Sequence, residues 1–144
     1  EDIEKEYEFP EPTHKTNYIT LKEAIGDLVN NTDEYMEGSF SSMYMSRNRR
    51  RGWDGVGFTV QASGRQAQLH PDSPEMVKVD KDKMEFNGNG TIRRMSVRES
   101  ARIQTFPDDY IFTGAQNQWY AQIGNAVPVK LAKVIGEAIM KFIK

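Results

Sequence analysis

The chain has 144 residues, a formal net charge of −2, 38% hydrophobic residues and 28% charged residues. This composition is sufficient for one packed core, and no apolar run approaches the length of about twenty residues that a membrane-spanning helix needs. Cysteine is absent, which excludes disulfides, thiolate metal sites and a cysteine nucleophile from this chain. Because the sequence begins with Glu1 rather than Met, we expect it to be part of a longer protein.

The amino-terminal part is predicted to be an extended arm followed by a short helix. Residues 1–18 are rich in acidic side chains and contain Pro10 and Pro12, which favours an extended arm. In residues 19–28 the apolar side chains recur at helical spacing, and Thr20 and Glu23 have the spacing of a capping box. We therefore predict an amphipathic helix that begins after Thr20.

Three short strands are predicted in the middle of the chain, at residues 40–45, 57–62 and 76–79. The first two are rich in aromatic or β-branched side chains, and turns rich in arginine and glycine separate them. The third is the segment Met-Val-Lys-Val.

Residues 47–65 contain five arginines and a single acidic residue, Asp54. A cluster of like charges is usually a solvated surface. Here, however, every basic residue is arginine, whose planar guanidinium pairs with phosphate or with the edge of guanine through two parallel hydrogen bonds. Four interleaved glycines also let the backbone approach another surface closely. The pattern therefore indicates a nucleic-acid contact.

The last third of the sequence is predicted to be helical. Ser96 and Glu99 form a second capping box, and the helix that they open must end before Phe106-Pro107. A final helix is predicted at residues 128–142, with one apolar stripe and Pro128 at its first position. The two histidines, His14 and His70, lack companions at ligand spacing, so no metal site is predicted.

Two segments indicate a protein family far more specifically than these general patterns do. They are RRMSVRESARIQTFPDDYIF at residues 93–112 and QIGNAVPVKLA at residues 122–132. In order and spacing they resemble the ninth and tenth conserved blocks of the DNA cytosine-5 methyltransferases. Residues 38–76 look like the target recognition domain of the members that recognise GGCC.

The resemblance implies an α+β fold, in which a small strand-rich recognition domain is joined to helices that complete the α/β methyltransferase lobe. It divides the chain into an arm (residues 1–18), a target recognition domain (residues 19–92) and conserved blocks nine and ten (residues 93–144). The last helix is expected to dock on the catalytic lobe.

The resemblance also implies roles for individual residues. Base contacts are expected from Arg47, Arg49 and Arg65, with Gln66 nearby, whereas Arg50 and Arg51 are expected to meet phosphates. For the cofactor S-adenosylmethionine, the resemblance implies contacts from Asn125 and Ala126. These two residues are predicted to lie in the turn before the last helix, whose free backbone N–H groups suit the methionine carboxylate. No catalytic residue and no metal ligand are assigned.

The chemistry of the resembling family needs parts that this sequence lacks. Its members use a cysteine thiolate and a glutamate in two blocks that are absent here, together with a glycine-rich cofactor block. We therefore expect double-stranded DNA and a catalytic half or subunit as partners, no activity of this chain alone, and a cytoplasmic, nucleoid-associated protein of bacterial or phage type.

Two alternatives stay open at this point. One is a non-catalytic DNA-binding module, which would gain nothing from the intact cofactor block at residues 125–127. The other is a subunit that only stabilises a partner enzyme, which would not need the arginine cluster.

Overall fold

The computed structural model describes residues 6–28 and 34–143. Within these ranges the chain has four α-helices and one antiparallel hairpin. They are α1 (Leu21–Ile25), β1 (Glu75–Asp80), β2 (Lys83–Asn87), α2 (Val97–Ile103), α3 (Gln116–Asn125) and α4 (Val129–Phe142). The predicted α+β class is confirmed. In the two described ranges, no helix combines the length and the apolar character that crossing a membrane requires.

Both predicted capping boxes are confirmed. At α1 the backbone N–H of Thr20 donates to the Glu23 carboxylate at 2.8 Å, and the N–H of Glu23 donates back to the Thr20 hydroxyl at 3.2 Å. At α2 the equivalent distances between Ser96 and Glu99 are 2.8 and 3.1 Å. Each box satisfies backbone donors that the first helical turn leaves without partners. The second helix ends at Ile103, before Phe106-Pro107, as predicted.

Of the three predicted strands, only residues 76–79 form one, within β1. The strand predicted at residues 40–45 is wrong, because Tyr44–Ser46 forms a 3₁₀ turn in which the N–H of Tyr44 bonds to the Ser41 hydroxyl. The strand predicted at residues 57–62 is also wrong. There the N–H of Phe58 bonds to the side chain of Gln68 at 3.0 Å, where a strand would have a backbone partner.

The centre of the molecule is the extended segment 68–70. On one side the N–H of Leu69 donates to the carbonyl of Arg49 at 2.9 Å. On the other side the N–H of His70 donates to the carbonyl of Arg93, also at 2.9 Å. Leu69 is fully buried between the two neighbouring segments. The segment that carries Arg49 is therefore joined through residues 68–70 to residues 93–95, which lead into α2.

Two small apolar cores flank this centre. One contains Leu21, Ile25 and Met95, and the other contains Tyr44, Leu69 and Met76. The first core joins α1 to the segment that leads into α2. Helix α1, which the predicted division places in residues 19–92, thus packs against Met95 and α2, which that division places in residues 93–144.

The last two helices differ in how they pack. Helix α3, which sequence reasoning did not predict, buries Tyr120 and Ile123 completely. Helix α4 begins one residue after Pro128, close to the prediction, but buries none of its described residues. Residues 6–18 form neither helix nor strand, and the ring of Tyr7 meets that of Phe142 on α4 with centroids 5.7 Å apart.

Candidate nucleic-acid interface

A cleft of about 180 Å³ gathers three of the six side chains that the sequence assigns to DNA. These three are Arg47, Arg49 and Gln66, and the amide of Gln68 and the ring of Phe58 complete much of its wall. Within this part of the chain, 3₁₀ turns and hydrogen bonds from backbone and side-chain groups hold the wall in place. The cleft therefore has the positive and amide groups that base edges and phosphates require.

Arg49 is held in a fixed orientation. Its Nε donates to the carbonyl of Tyr44 at 3.3 Å and its Nη2 donates to Gln66 Oε1 at 3.1 Å. The guanidinium also lies 5.0 Å from the centre of the Tyr44 ring. Burial lowers the pKa of Arg49, and the adjacent positive charge of Arg47 lowers this pKa further. Acceptors that enter the cleft would relieve this repulsion between neighbouring cations.

The other outward-facing arginines are exposed. Arg51 stacks on the ring of Phe58, with its guanidinium carbon 4.4 Å from the ring centre. Arg65 lies in the 3₁₀ turn Gly64–Gln66, next to the cleft-lining Gln66. Within the described residues, the side chains of Arg47, Arg51 and Arg65 donate no hydrogen bond, which leaves their guanidinium groups available for a ligand.

Arg50 is turned inward and away from the cleft. Its Nε and Nη2 both donate to the carbonyl of Pro71, at 3.2 and 2.8 Å, and its Nη1 pairs with Glu75 at 3.2 Å. These bonds connect residues 47–51 to the start of β1. The geometry gives Arg50 a structural role and no support for the phosphate contact that the sequence predicts.

Two glycines set the position of the recognition loop, by which we mean residues 61–66. A Cβ on Gly64 would lie 2.7 Å from the ring of Tyr120, and one on Gly124 would lie 2.5 Å from Ala62 Cα. The Tyr120 hydroxyl donates to the carbonyl of Met95 at 2.7 Å. The recognition loop therefore rests directly on α3, with no side chain between them at either glycine.

A buried network lies behind the cleft. The Glu99 carboxylate accepts two hydrogen bonds from Arg93, at 2.7 and 2.8 Å, and its Oε1 lies 3.5 Å from His70 Nε2. The N–H of Asp72 donates to His70 Nδ1 at 3.2 Å, so the neutral ring carries its proton on Nε2. Burial lowers the pKa of His70, although the charge of Glu99 opposes the effect. These contacts give the Glu99 side chain a structural role in the buried network.

The two predicted cofactor residues lie at the junction of α3 and α4. The sequence placed both in the turn before the last helix. In the structure Asn125 is the last residue of α3 and Ala126 caps that helix. The Asn125 side chain is exposed in an open cleft of about 500 Å³, which Thr113 and Gln118 also line. An amide in this position suits a polar ligand.

The start of α4 offers fewer free donors than the sequence suggested. The N–H of Val129 donates to the carbonyl of Gln104 at 3.2 Å, and the N–H of Lys130 donates to the Thr105 hydroxyl at 2.9 Å. The Gln104 side chain also donates to the carbonyl of Ala126 at 3.1 Å. These contacts satisfy two of the orphan donors that a carboxylate would use.

Sequence reasoning missed three residues that organise the interface: Tyr44, Arg94 and Tyr120. Each is almost completely buried. The position of Arg94 in the Arg-Arg pair that opens the resembling segment 93–112 was a signal that could have singled it out. The described residues contain no group of three or more histidine or acidic side chains arranged to hold a metal ion.

Comparison with known proteins identifies the sequence relatives. The family model described as C-5 cytosine-specific DNA methylase matches residues 1–141. The chain is 47% identical to the Type II methyltransferase M.BsuRI of Bacillus subtilis, over 96% of the chain and 35% of that relative. It is 47% identical to M.MthTI of Methanothermobacter thermautotrophicus, over 98% of the chain and 48% of that relative. The chain thus spans between a third and a half of the length of these relatives.

Proposed function

We propose, since this chain belongs to the family of C-5 cytosine-specific DNA methylases, that it forms the DNA-recognition part of such an enzyme. Residues beyond this chain then supply the catalytic lobe. The observation that carries the proposal is the cleft that gathers Arg47, Arg49 and Gln66 beside exposed Arg51 and Arg65. The lengths of the relatives support it, because the matched part leaves at least half of each relative outside the alignment.

In the proposed complex, Arg47, Arg49 and Arg65 read base edges. Gln66 acts on Arg49, because its amide oxygen accepts from the guanidinium and restricts the rotation of that group. Arg51 is exposed on Phe58 and meets a phosphate. Arg50 is left out of the DNA-contacting set because Pro71 and Glu75 already bind it.

The proposed target is GGCC, with the inner cytosine methylated. The resemblance of residues 38–76 supports this choice. It also agrees with the chemistry of the cleft, since guanine presents O6 and N7 as paired acceptors in the major groove and arginine is their commonest partner. Two guanines on each strand would employ the forked donors of the outward-facing arginines.

The proposed cofactor is S-adenosylmethionine, which members of this family use as the methyl donor. Asn125 fits a place beside it, because its amide is exposed in an open cleft. Ala126 would contribute through its backbone position, although its carbonyl is already bonded to Gln104. The chain has no cysteine, so the thiolate that attacks the base must come from the catalytic part.

Reconstitution tests the proposal. The chain would be co-expressed with the portion of the Bacillus subtilis relative that lies outside the match, and transfer of a labelled methyl group to DNA would be measured. We expect transfer with both parts and none with either part alone. Transfer by this chain alone would contradict the division of labour, and absence of DNA binding by the reconstituted protein would exclude the recognition role.

Sequence choice is tested on the same protein by bisulfite sequencing of DNA that carries GGCC, AGCT and CGCG. Arg65→Ala should lower affinity for the target by about 1–3 kcal/mol and relax choice at one base pair. Arg51→Ala should weaken all sequences alike and flatten the salt dependence by roughly one unit. The control Lys78→Ala removes one charge from β1, outside the cleft, and should change neither quantity. Equal weakening of every site by Arg65→Ala would exclude it as a base reader.

A further inference from the structure

Arg94 is a buried cation whose described hydrogen-bond partners are all backbone carbonyls. The residue is 3% exposed. Its Nη1 donates to the carbonyls of Met36 and Gly38, both at 3.1 Å, and its Nη2 donates to the carbonyl of Ser39 at 3.1 Å. Its Nε donates to the carbonyl of Arg65 at 3.3 Å. A buried charge is costly unless such dipoles surround it, so these carbonyls are held together by their common donor.

This single side chain touches the supports of two proposed base readers. Through Nε it binds the backbone of Arg65, which lies in the recognition loop. Its guanidinium also lies 5.2 Å from the centre of the Tyr44 ring. Tyr44 in turn holds Arg49, because its carbonyl accepts from Arg49 Nε and its ring contacts the Arg49 guanidinium. Arg94 is thus one contact from Arg65 and two contacts from Arg49.

We infer that Arg94 is a positioning residue that fixes the separation and orientation of Arg49 and Arg65, and thereby determines the sequence selectivity of the chain. The inference rests on the proposed function. Arg94 is buried and does not touch DNA itself. Only the planar guanidinium can direct donors at four carbonyls at once, whereas the lysine ammonium has three donors on one atom. A lysine at this position keeps the charge but releases part of the loop.

The neighbouring arginine provides a matched control. Arg93 is also partly buried, but its guanidinium makes a two-point pair with the Glu99 carboxylate on α2, and its Nη1 donates to the carbonyl of Arg94 at 3.2 Å. Its side chain has no hydrogen bond to Arg49, Arg65 or the recognition loop within the described ranges. Replacing Arg93 by lysine therefore damages a buried ionic contact, but it leaves in place the guanidinium of Arg94 and the four carbonyls that it binds.

The experiment compares Arg94→Lys with Arg93→Lys in the reconstituted protein. Affinity for a GGCC duplex and for an AGCT duplex is measured by fluorescence anisotropy at several salt concentrations, and folding is checked by chemical denaturation. We expect Arg94→Lys to reduce the ratio of the two affinities about tenfold, with the AGCT affinity and the salt slope unchanged. Arg93→Lys should lower stability and leave the ratio unchanged.

A second variant keeps the test informative if Arg94→Lys fails to fold. Tyr44→Leu removes the ring shared by Arg94 and Arg49, together with the hydroxyl that donates to the carbonyl of Ala67, but leaves the carbonyl contacts of Arg94. We expect it to relax choice at the base pair read by Arg49 and to preserve choice at the pair read by Arg65.

The outcomes separate the two proposals. A folded Arg94→Lys protein with an unchanged ratio would overturn the inference, and so would an equal fall in both arginine variants. If Arg94→Lys does not fold, unchanged choice at every base pair in Tyr44→Leu would also overturn it. An unmodified protein that shows no preference for GGCC would instead refute the proposed specificity.

Discussion

Helices α3 and α4 are separated by only three residues, yet they relate to the rest of the molecule in opposite ways. Helix α3 buries Tyr120 and Ile123 completely and carries the recognition loop on Gly124. Helix α4 has the clearer apolar stripe in the sequence but buries none of its described residues. Leu131, for example, is 49% exposed. The first residues of α4 bond to Gln104 and Thr105, and Phe142 at the other end of the helix contacts Tyr7.

The comparison shows that an apolar stripe predicts a helix without identifying the surface that covers it. Helix α3 is stabilised by surfaces that the chain itself provides, from the recognition loop and from α2. Helix α4 leaves much of its apolar surface exposed, including Leu131, Val134 and Ile139, and an exposed apolar surface of this kind marks an interaction site. The structure thus supports the proposal that α4 docks on a catalytic lobe outside this chain.

Truncation of matched apolar residues on the two helices should give the largest difference. Ile123→Ala on α3 removes a fully buried side chain and should lower the free energy of unfolding by about 2–5 kcal/mol. Leu131→Ala on α4 removes a half-exposed side chain and should change it by less than about 0.5 kcal/mol. Urea denaturation of the two variants measures both values, and similar losses would contradict the contrast between the helices.

Alanine substitutions at Gly124 on α3 and Gly136 on α4 should change the stability of the protein in opposite directions. In Gly124→Ala the new Cβ would meet the backbone of Ala62, so we expect a loss of about 1–3 kcal/mol of stability. In Gly136→Ala on α4 the new Cβ meets nothing within 4 Å, so the higher helix propensity of alanine should add about 0.5–1 kcal/mol. A stabilising Gly124→Ala would show that the recognition loop does not rest on α3 as described.

The exposed stripe of α4 should bind a hydrophobic dye. We expect dye fluorescence or self-association in the chain alone, and suppression of both when the catalytic part is added. The double substitution Leu131→Ser and Ile139→Ser should reduce the signal. The matched change Gln118→Ser, at an exposed polar position of α3, should leave it unchanged. Dye fluorescence and sedimentation velocity test this, and a monomeric chain without dye binding would remove the stripe as a docking surface.

The smallest expected effect is a pH dependence of the stability that comes from the buried residue His70. Burial lowers the pKa of His70 from its ordinary value of 6.5. The unfolded chain therefore binds a proton before the folded chain does as the pH falls, so the folded state loses stability below about pH 6.5. Denaturation between pH 7.5 and 5.5 should show this loss. His70→Gln should flatten it, whereas the exposed control His14→Gln should not.

Interactions between residues close in sequence could be predicted without the fold. The capping boxes at Thr20 and Ser96 follow from residues three positions apart, and both form as predicted. The stripe of α4 is equally local, because helical periodicity alone places its members on one side. The resemblance to the DNA cytosine-5 methyltransferases also came from the sequence alone, and the family match confirms the family.

Tertiary contacts determined side-chain orientations and local structure that the sequence did not reveal. Five neighbouring arginines look alike in the sequence, yet Arg50 turns inward to Pro71 while Arg51 stays exposed on Phe58. Residues 40–45 do not form a strand despite their strand propensity, because Tyr44 is held by other contacts. Its buried hydroxyl donates to the carbonyl of Ala67 at 2.8 Å. Propensity is weak beside such specific burial and hydrogen bonding.

The recognition surface depends most on the fold. Arg94 binds carbonyls of residues that lie 29 and 58 positions away in the sequence, those of Arg65 and Met36. No local pattern encodes these pairings, because they exist only after segment 68–70 has brought residues 47–51 and residues 93–95 to its two sides. The sequence by itself determined which residue types could meet DNA. The tertiary structure decided which of them face outward, since a buried guanidinium is stable only where the folded backbone supplies its acceptors.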